Sequence, residues 1–208
     1  TSSVAHNLRN PLASIRSSAE LSLESPGEDC SEEARDIIRE VDRISDRVSE
    51  LLTFSAAHDP QPGPVRLDLL LEVCCADHAP AFERRGQRLD FACEATAPVI
   101  DGDPALLRQA FHSLLSNAGE AMGDGGRCTV TLRPAAGTRC RIDIADTGSG
   151  IAAEAGQQMF RPFFTTKPKG LGLGLPLAKR IVERFGGEIR ISGVPGEGTL
   201  VSLIFPAR

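Results

Sequence analysis

The sequence predicts an α+β protein, with a helical hairpin at the N-terminus followed by a domain that packs helices against antiparallel strands. Three observations predict this class. Apolar residues recur every three or four positions before residue 58, a proline-rich break follows, and helical and alternating patterns then occupy separate blocks. We therefore expect a two-layer α/β sandwich over residues 65–208.

Residues 1–58 have the pattern of two amphipathic helices. In the second, apolar positions lie four and three apart from Ile37 through Val41 to Leu51. Such a narrow stripe is typical of helices that pack against a partner helix, and two helices of this length bury too little surface to be stable alone. A homodimer that forms a four-helix bundle through residues 1–58 is expected, and an intramolecular hairpin packed on the rest of the chain is the alternative.

Residues 59–64 read Asp-Pro-Gln-Pro-Gly-Pro and predict a semi-rigid linker between the domains. The elements predicted beyond it are helices over 67–85, 104–122 and 173–185 and strands over 88–93, 129–133, 139–145, 188–192 and 199–205. Asp103 followed by Pro104 predicts the start of the middle helix. Gly186 and Gly187 predict the end of the last one.

Composition excludes several classes of function. The formal net charge is −5, and Trp and Tyr are absent, so neither a basic field nor stacking residues favour a nucleic-acid partner. No apolar run is long enough to span a membrane, so no membrane segment is expected in this chain. The six cysteines form no metal-binding spacing and are expected to be reduced, mostly buried thiols of a cytoplasmic protein.

Asp146 comes at the end of a predicted strand and precedes the glycines Gly148 and Gly150. A carboxylate at this place can accept a hydrogen bond from the exocyclic amine of adenine, which guanine lacks. The glycines allow the backbone to approach a flat ring closely. Taken alone, Asp-x-Gly-x-Gly is a common turn.

A second glycine-rich turn, with Gly170, Gly172 and Gly174, precedes the last predicted helix. Backbone N–H groups at such a helix start bind anions, although the spacing fits neither a P-loop nor a Rossmann turn. Asn117 lies on the middle helix, where its amide oxygen is a reasonable ligand for magnesium. Each of these two signals is weak by itself.

The order of the motifs is specific. Asn117, the Asp146 turn, Phe160-Arg-Pro-Phe-Phe, the Gly170 turn and Gly196-Glu-Gly-Thr199 together resemble the catalytic domain of bacterial two-component sensor histidine kinases, within the wider ATPase group that includes gyrase. The resemblance implies a Bergerat ATP-binding fold that holds ATP and Mg²⁺. Phosphate contacts are implied for Thr166, Lys167, Lys169, Gly170, Gly172, Leu173 and Gly174, and support of Asp146 is implied for Thr199.

The N-terminal segment Ala5-His6-Asn7-Leu8-Arg9-Asn10-Pro11 resembles the phosphoacceptor box of the same family. The resemblance implies that His6 takes the terminal phosphate of ATP and passes it to an aspartate on the receiver domain of a response regulator. The resemblance also implies that Asn10, one helical turn from His6, takes part in dephosphorylating that regulator. The family normally has an acid where this chain has Asn7. An amide can accept the hydrogen bond from the imidazole, but it carries no charge, and its NH₂ group can favour the wrong tautomer.

Two other readings stay open. In one, Asn7 disables the kinase and leaves a dimeric module that binds a response regulator and dephosphorylates it through Asn10. In the other, the chain is a nucleotide-gated conformational ATPase that forms no phosphohistidine, and a His6→Gln change leaves nucleotide turnover unchanged.

Overall fold

The computed structural model describes residues 61–94, 98–151, 153–167 and 171–208, together with Ile15, Ile37 and Val41. The chain divides into two compact units, Asp59–Phe160 with Gly174–Arg208 and Thr1–His58 with Arg161–Leu173. The predicted helical hairpin and its dimeric bundle lie outside the described residues, apart from helical backbone at those three apolar positions.

The larger unit is built on a five-stranded sheet. Its elements in chain order are β1 (Gly63–Arg66), α1 (Leu67–Glu83), β2 (Arg88–Cys93), β3 (Val99–Gly102), α2 (Pro104–Met122), β4 (Arg127–Ala135), β5 (Arg139–Asp146), a 3₁₀ stretch (Ala153–Phe160), α3 (Gly174–Arg184), β6 (Glu188–Val194) and β7 (Gly198–Pro206). The strand order of the sheet is β2-β4-β5-β7-β6, and β1 pairs with β3 in a small separate sheet. Every pairing in the large sheet is antiparallel except β2 with β4.

The core lies between the three helices and one face of the large sheet. Along β5, Cys140, Ile142 and Ile144 are buried, and they alternate with residues on the opposite face. The helices cover the first face with side chains such as Phe111 and Leu115 of α2, both almost fully buried. The predicted α+β class and its two layers are therefore confirmed.

The helix boundaries follow the local signals in the sequence. The Asp103 carboxylate accepts hydrogen bonds from the N–H groups of Ala105 at 2.9 Å and Leu106 at 3.2 Å, which caps the first turn of α2. After α3, Gly186 takes a left-handed conformation with φ of 72°. Both features match the predicted ends of these helices.

Two short strands escape prediction from the sequence. The strands β1 and β3 have four residues each, too few to show an alternating pattern. Gly63 and Pro64, predicted as the end of the linker, instead belong to β1 and pair with Gly102 and Asp101 of β3. A proline is compatible with this position because β1 has a partner on one side only.

Five cysteines lie among the described residues, and no disulfide joins them. Four of the five are buried, and Cys93 is exposed. Among the described helices, no segment has the length and apolar content needed to cross a membrane.

The face of the sheet that points away from the helices carries a buried carboxylate. Asp143 of β5 is only 6% exposed. It accepts hydrogen bonds from the Ser202 hydroxyl at 2.6 Å and from Arg141 Nε at 2.7 Å, and it forms a further ion pair with Arg133. Burial alone disfavours its charge, but these hydrogen bonds and the two guanidinium charges outweigh it and hold the pKa of Asp143 below its ordinary value.

We predict that Asp143→Asn lowers the free energy of unfolding at neutral pH by about 1–3 kcal/mol, because it removes the charge that two arginines share. A carboxyl with a lowered pKa stabilises the fold above its unfolded pKa, and that stabilisation is lost as pH falls through the folded pKa. The difference in the free energy of unfolding between the parent chain and Asp143→Asn should therefore become smaller at acidic pH. Urea unfolding of both proteins at neutral and acidic pH measures this difference.

The matched control is Asp90→Asn. Asp90 also pairs with two arginines, but its side chain is 34% exposed, so we expect a loss below about 1 kcal/mol. Equal losses in the two variants, or a difference that does not depend on pH, would contradict the role given to Asp143.

Candidate functional site

A cavity of about 120 Å³ opens between the helical layer and the sheet in the larger unit. Its lining residues are Leu114, Asn117, Ala118, Ile144, Asp146, Ile151, Leu175, Ile191, Thr199 and Val201. Seven of these ten are large or small apolar residues, and the other three carry an amide, a carboxylate and a hydroxyl. An apolar pocket with a few convergent polar groups is typical of a small-molecule site.

The strand pairing places the carboxylate of Asp146. This residue ends β5 and lies directly opposite Thr199 of β7 and Cys128 of β4. Asp146 is 9% exposed, and its Oδ1 accepts a hydrogen bond from the N–H of Gly148 at 2.9 Å. The side chain is therefore held in one orientation at the cavity wall.

The acid also affects its neighbour in the sheet. Burial raises the pKa of the Cys128 thiol to about 12, and the nearby charge of Asp146 acts in the same direction. Cys128 is thus an uncharged thiol at neutral pH and has no nucleophilic role there. Asp146 supplies the negative charge on this side of the cavity.

Three glycines allow the loops around Asp146 to pack closely. A Cβ on Gly148 would lie 2.7 Å from the carbonyl oxygen of Ala121, at the end of α2. Gly150 and Gly198 have φ of 70° and 102°, and a Cβ at either would overlap a carbonyl oxygen, that of Val194 or that of Asp146. No other residue type fits these positions without moving the backbone.

Hydrogen bonds fix the turn after Asp146 to its surroundings. The N–H of Ser149 donates to the carbonyl of Ala121 at 3.0 Å, and its own carbonyl accepts from Gly196 N–H at 2.8 Å. Thr147 and Arg127 bond reciprocally, since Thr147 N–H donates to the Arg127 carbonyl at 3.1 Å and Arg127 N–H donates to Thr147 Oγ1 at 3.0 Å. The turn is therefore a rigid part of the site.

Asn117 and the start of α3 lie together on the other side of the cavity. An ideal Cβ on Gly174, the first residue of α3, would lie 2.5 Å from Ser113 Oγ and 3.4 Å from Asn117 Nδ2. Glycine therefore lets the N-terminus of α3 approach α2. The N–H groups and the positive end of the helix dipole make this terminus suitable for an anion, next to the Asn117 amide.

The remaining residues predicted for phosphate contacts belong to the other unit. Phe163 and Gly172 of that unit, in its segment Arg161–Leu173, lie together, since Phe163 N–H donates to the Gly172 carbonyl at 3.0 Å. Gly172 has φ of 67°, and a Cβ there would overlap the carbonyl of Phe164. Thr166, Lys167 and Leu173 lie in the same segment, in which Lys167 N–H donates to Thr165 Oγ1 at 3.1 Å.

Five predicted site residues lie outside the described residues. They are His6, Asn7, Asn10, Lys169 and Gly170. The structure thus brings together Asn117, Asp146, Thr199 and the glycines at positions 148, 150 and 174, all within the larger unit. The other predicted residues stay predictions.

Sequence patterns miss two groups of residues that shape the site. The apolar walls come from distant segments, such as Leu114 of α2, Ile191 of β6 and Val201 of β7. Each of these continues a helical or alternating pattern, so only the three-dimensional fold distinguishes it from the rest of the core. Gln87 is the second case, since its Nε2 donates to the carbonyls of Gly119, at 2.7 Å, and of Gly123, and so holds the C-terminal end of α2.

The chain belongs to the histidine kinase family. Residues 102–208 match the family described as histidine kinase-, DNA gyrase B-, and HSP90-like ATPase, and residues 1–60 match the His Kinase A (phospho-acceptor) domain. The chain is 34% identical over 205 residues to the sensor histidine kinase ZraS of Escherichia coli K12, covering 98% of this chain and 44% of that protein. It is 32% identical over 206 residues to the histidine-protein kinase AtoS of Escherichia coli K12, covering 98% of this chain and 34% of AtoS. The chain therefore spans less than half of these relatives.

Solved structures agree with this assignment. The full-length ShkA complex with AMPPNP matches with 25% identity and a TM-score of 0.72, covering 99% of this chain and 45% of ShkA. The catalytic domain of ThkA, in a nucleotide-free form, matches with 25% identity and a TM-score of 0.64, covering 70% of this chain and 95% of that domain. ThkA in complex with the response regulator TrrA shares the fold, with 24% identity and a TM-score of 0.81 over 99% of this chain and 60% of ThkA.

We predict that Gly148→Ala destabilises the protein by about 1–3 kcal/mol, because its methyl group would push the Asp146 turn away from the backbone of α2. The control is Gly63→Ala. Neither glycine has a positive φ, and a Cβ on Gly63 would have nothing within 4 Å. Urea unfolding followed by circular dichroism should show a change below about 0.5 kcal/mol for the control. Equal effects of the two changes would contradict the close packing described for this turn.

Proposed function

We propose that this chain is the ATP-dependent core of a sensor histidine kinase, which phosphorylates its own His6 and then a response regulator. The observation that carries the proposal is the cavity that gathers Asn117, Asp146 and Thr199 beside the N-terminus of α3. The family matches over residues 1–60 and 102–208 support the pairing of a phosphoacceptor segment with an ATPase domain.

Asp146 is proposed to select adenine. Its carboxylate accepts hydrogen bonds only, so it fits the exocyclic amine of adenine and repels the carbonyl oxygen that guanine has at that place. The apolar walls of the cavity suit a flat aromatic ring, and Thr199, opposite Asp146 in the strand register, is proposed to support the carboxylate. The glycines Gly148 and Gly150 keep the turn close against the base.

The donor groups on the other side of the cavity fit a phosphate chain with magnesium. The N-terminus of α3 at Gly174 offers N–H groups to phosphate oxygens, and Asn117 offers an amide oxygen to Mg²⁺, which prefers oxygen ligands and keeps several waters. Among the described residues, no three His, Cys, Asp or Glu side chains gather as a metal site. A cation held here would therefore be shared with phosphate oxygens, whose negative charge magnesium neutralises when bound.

Further phosphate contacts are proposed from the order of the sequence motifs alone. Thr166, Lys167 and Lys169 would supply a hydroxyl and two positive charges. Gly170, Gly172 and Leu173 would supply backbone N–H groups. The ShkA structure with AMPPNP supports nucleotide binding in this fold.

His6 is the proposed acceptor. A neutral imidazole forms a bond from Nε2 to the γ-phosphorus of ATP, the bond to the bridging oxygen breaks, and ADP leaves. An aspartate of a response-regulator receiver domain then takes the phosphoryl group from His6. We propose a homodimer through residues 1–58 and a cytoplasmic location, and the ThkA–TrrA complex supports a response regulator as the partner.

A second candidate function follows from Asn7. An amide at this position carries no charge to stabilise the developing imidazolium, and its NH₂ group can favour the wrong tautomer. The chain would then be a dimeric module that binds a response regulator and uses Asn10 to orient a water for dephosphorylation. This candidate would be favoured if no phosphohistidine forms during incubation with MgATP and the phosphorylated regulator loses its phosphate faster with the chain than without it.

Transfer of labelled γ-phosphate from ATP tests the proposed function. We expect label on the chain that is lost in acid and kept in base, as for a phosphohistidine, and no label on His6→Gln. Asp146→Asn should remove both the label and the heat of MgATP binding in calorimetry, because the acceptor for the adenine amine is weakened. Label that persists in His6→Gln, or MgATP binding that Asp146→Asn leaves unchanged, would contradict the proposal.

We predict that Asn7→Glu raises the rate of autophosphorylation by on the order of 10²-fold, because a carboxylate holds the imidazole tautomer and stabilises its charge. The rate is measured as labelled chain formed per unit time at saturating MgATP. Asn7→Gln is the matched control, since it has the length of Glu without the charge, and it should stay near the parent rate. Equal rates for the Glu and Gln variants would rule out a role for charge at this position.

A further inference from the structure

We propose that the outward face of the five-stranded sheet is a docking surface for an acidic partner protein. This outward face is the side of β2, β4, β5, β6 and β7 that points away from the three helices. The ion pairs on these strands join six arginines to only three acids. This local excess of positive charge contrasts with the formal net charge of the chain, which is −5. The proposal is independent of the kinase activity, because it concerns the side of the sheet opposite the cavity.

The arginines of this face are arranged in three groups, each with one acid between two guanidinium groups. Asp143 lies between Arg133 and Arg141, as described above. At the β2 edge of the sheet, Asp90 accepts from Arg88 Nε at 2.8 Å and pairs with Arg127 Nε at 3.1 Å. Each group has two positive charges and one negative charge, and so one unbalanced positive charge.

The third group lies at the other edge. Glu188 of β6 pairs with Arg190 at 3.0 Å and with Arg139 of β5 at 3.4 Å. The three groups thus reach from one edge strand of the sheet to the other, and each has one more arginine than acid. The side chains of their six arginines are 34–73% exposed, so a partner can reach them.

Folding does not account for the second arginine at Asp90 and at Glu188. The ion pairs of these two acids are exposed and contribute little to stability, in contrast to those of the buried Asp143. Arg133 and Arg141 are directly opposite each other in the register of β4 and β5, where like charges are unfavourable. Each guanidinium has five N–H donors, so a carboxylate shared by two arginines leaves donors that point to solvent.

The apolar residues of the face favour a protein over a phosphate-rich ligand. Ala145 and Leu200 form a cross-strand pair, and Ile204 lies opposite Arg141; all three are half-buried. Interfaces between proteins commonly combine apolar side chains with arginine. A membrane surface or nucleic acid would bring dense phosphates against the three acids of the face. A partner with spaced carboxylates and apolar residues fits better, since each carboxylate can accept two parallel bonds from an arginine.

The test measures binding of a defined probe to the full chain without nucleotide. The probe is a short fluorescent peptide in which Glu and Leu alternate, and a Gln-Leu peptide of equal length is the uncharged comparison. The triple variant R88Q/R133Q/R190Q removes one arginine from each group, so that each acid keeps one arginine and each group becomes neutral. We expect it to bind the Glu-Leu peptide at least about tenfold more weakly than the parent chain.

The matched control is R84Q/R85Q/R184Q, which removes the same charge from exposed arginines outside the outward face. It should bind the acidic peptide as the parent does. R88K/R133K/R190K keeps the charge but loses the paired donors, and it should bind with an intermediate affinity. Thermal melting checks that each variant is folded. If R88Q/R133Q/R190Q does not fold, the affinity of R88K/R133K/R190K for the acidic peptide is compared with that of the parent chain instead.

Three results would overturn the proposal. The first is an acidic peptide that binds no better than the Gln-Leu peptide. The second is an equal loss of affinity for the acidic peptide in R88Q/R133Q/R190Q and R84Q/R85Q/R184Q. The third is stronger binding to vesicles of phosphatidylcholine with phosphatidylserine, weakened by R88Q/R133Q/R190Q, while the acidic peptide does not bind. That result would assign the face to an anionic lipid surface.

Discussion

The pairing of β5 with β7 is the constraint on which the candidate site depends. It sets Asp146 opposite Thr199 and brings Gly198 so near the Asp146 carbonyl that a side chain there would overlap it. The carboxylate has little freedom, because it also accepts from Gly148 N–H and is 9% exposed. A buried acid held in this way recognises a donor by geometry, since no water can easily take the donor's place.

The same sheet serves two different surfaces. Because side chains alternate along each strand, β5 directs Ile142, Ile144 and Asp146 toward the helices and Arg141 and Asp143 toward the outward face of the sheet. One face therefore forms an apolar cavity with a single buried acid, and the other carries exposed arginines. A shift of the register by one residue would exchange the two surfaces, so the cavity and the arginine groups depend on the same strand pairing.

Local signals predicted the parts of the fold that depend on neighbouring residues. Asp103 and Pro104 marked the start of α2, and Gly186 marked the end of α3, because caps and left-handed turns act within a few residues. The strands β1 and β3 were missed because four residues carry no periodic signal.

The candidate site was predictable in its polar residues and not in its shape. Asn117 and Asp146 stood out because they lie next to glycine-rich or helical motifs whose order is specific to the family. The apolar walls depend on contacts between distant segments, such as Leu114 of α2, Ile191 of β6 and Val201 of β7. Long-range packing of this kind leaves no mark on a single sequence.

The most direct test of the central claim is a crystal structure of the chain with magnesium and a non-hydrolysable ATP analogue. The account predicts the adenine amine within about 3 Å of an Asp146 carboxylate oxygen, with the phosphates at the N-terminus of α3 beside Asn117. A nucleotide bound elsewhere, or a base turned away from Asp146, would contradict it.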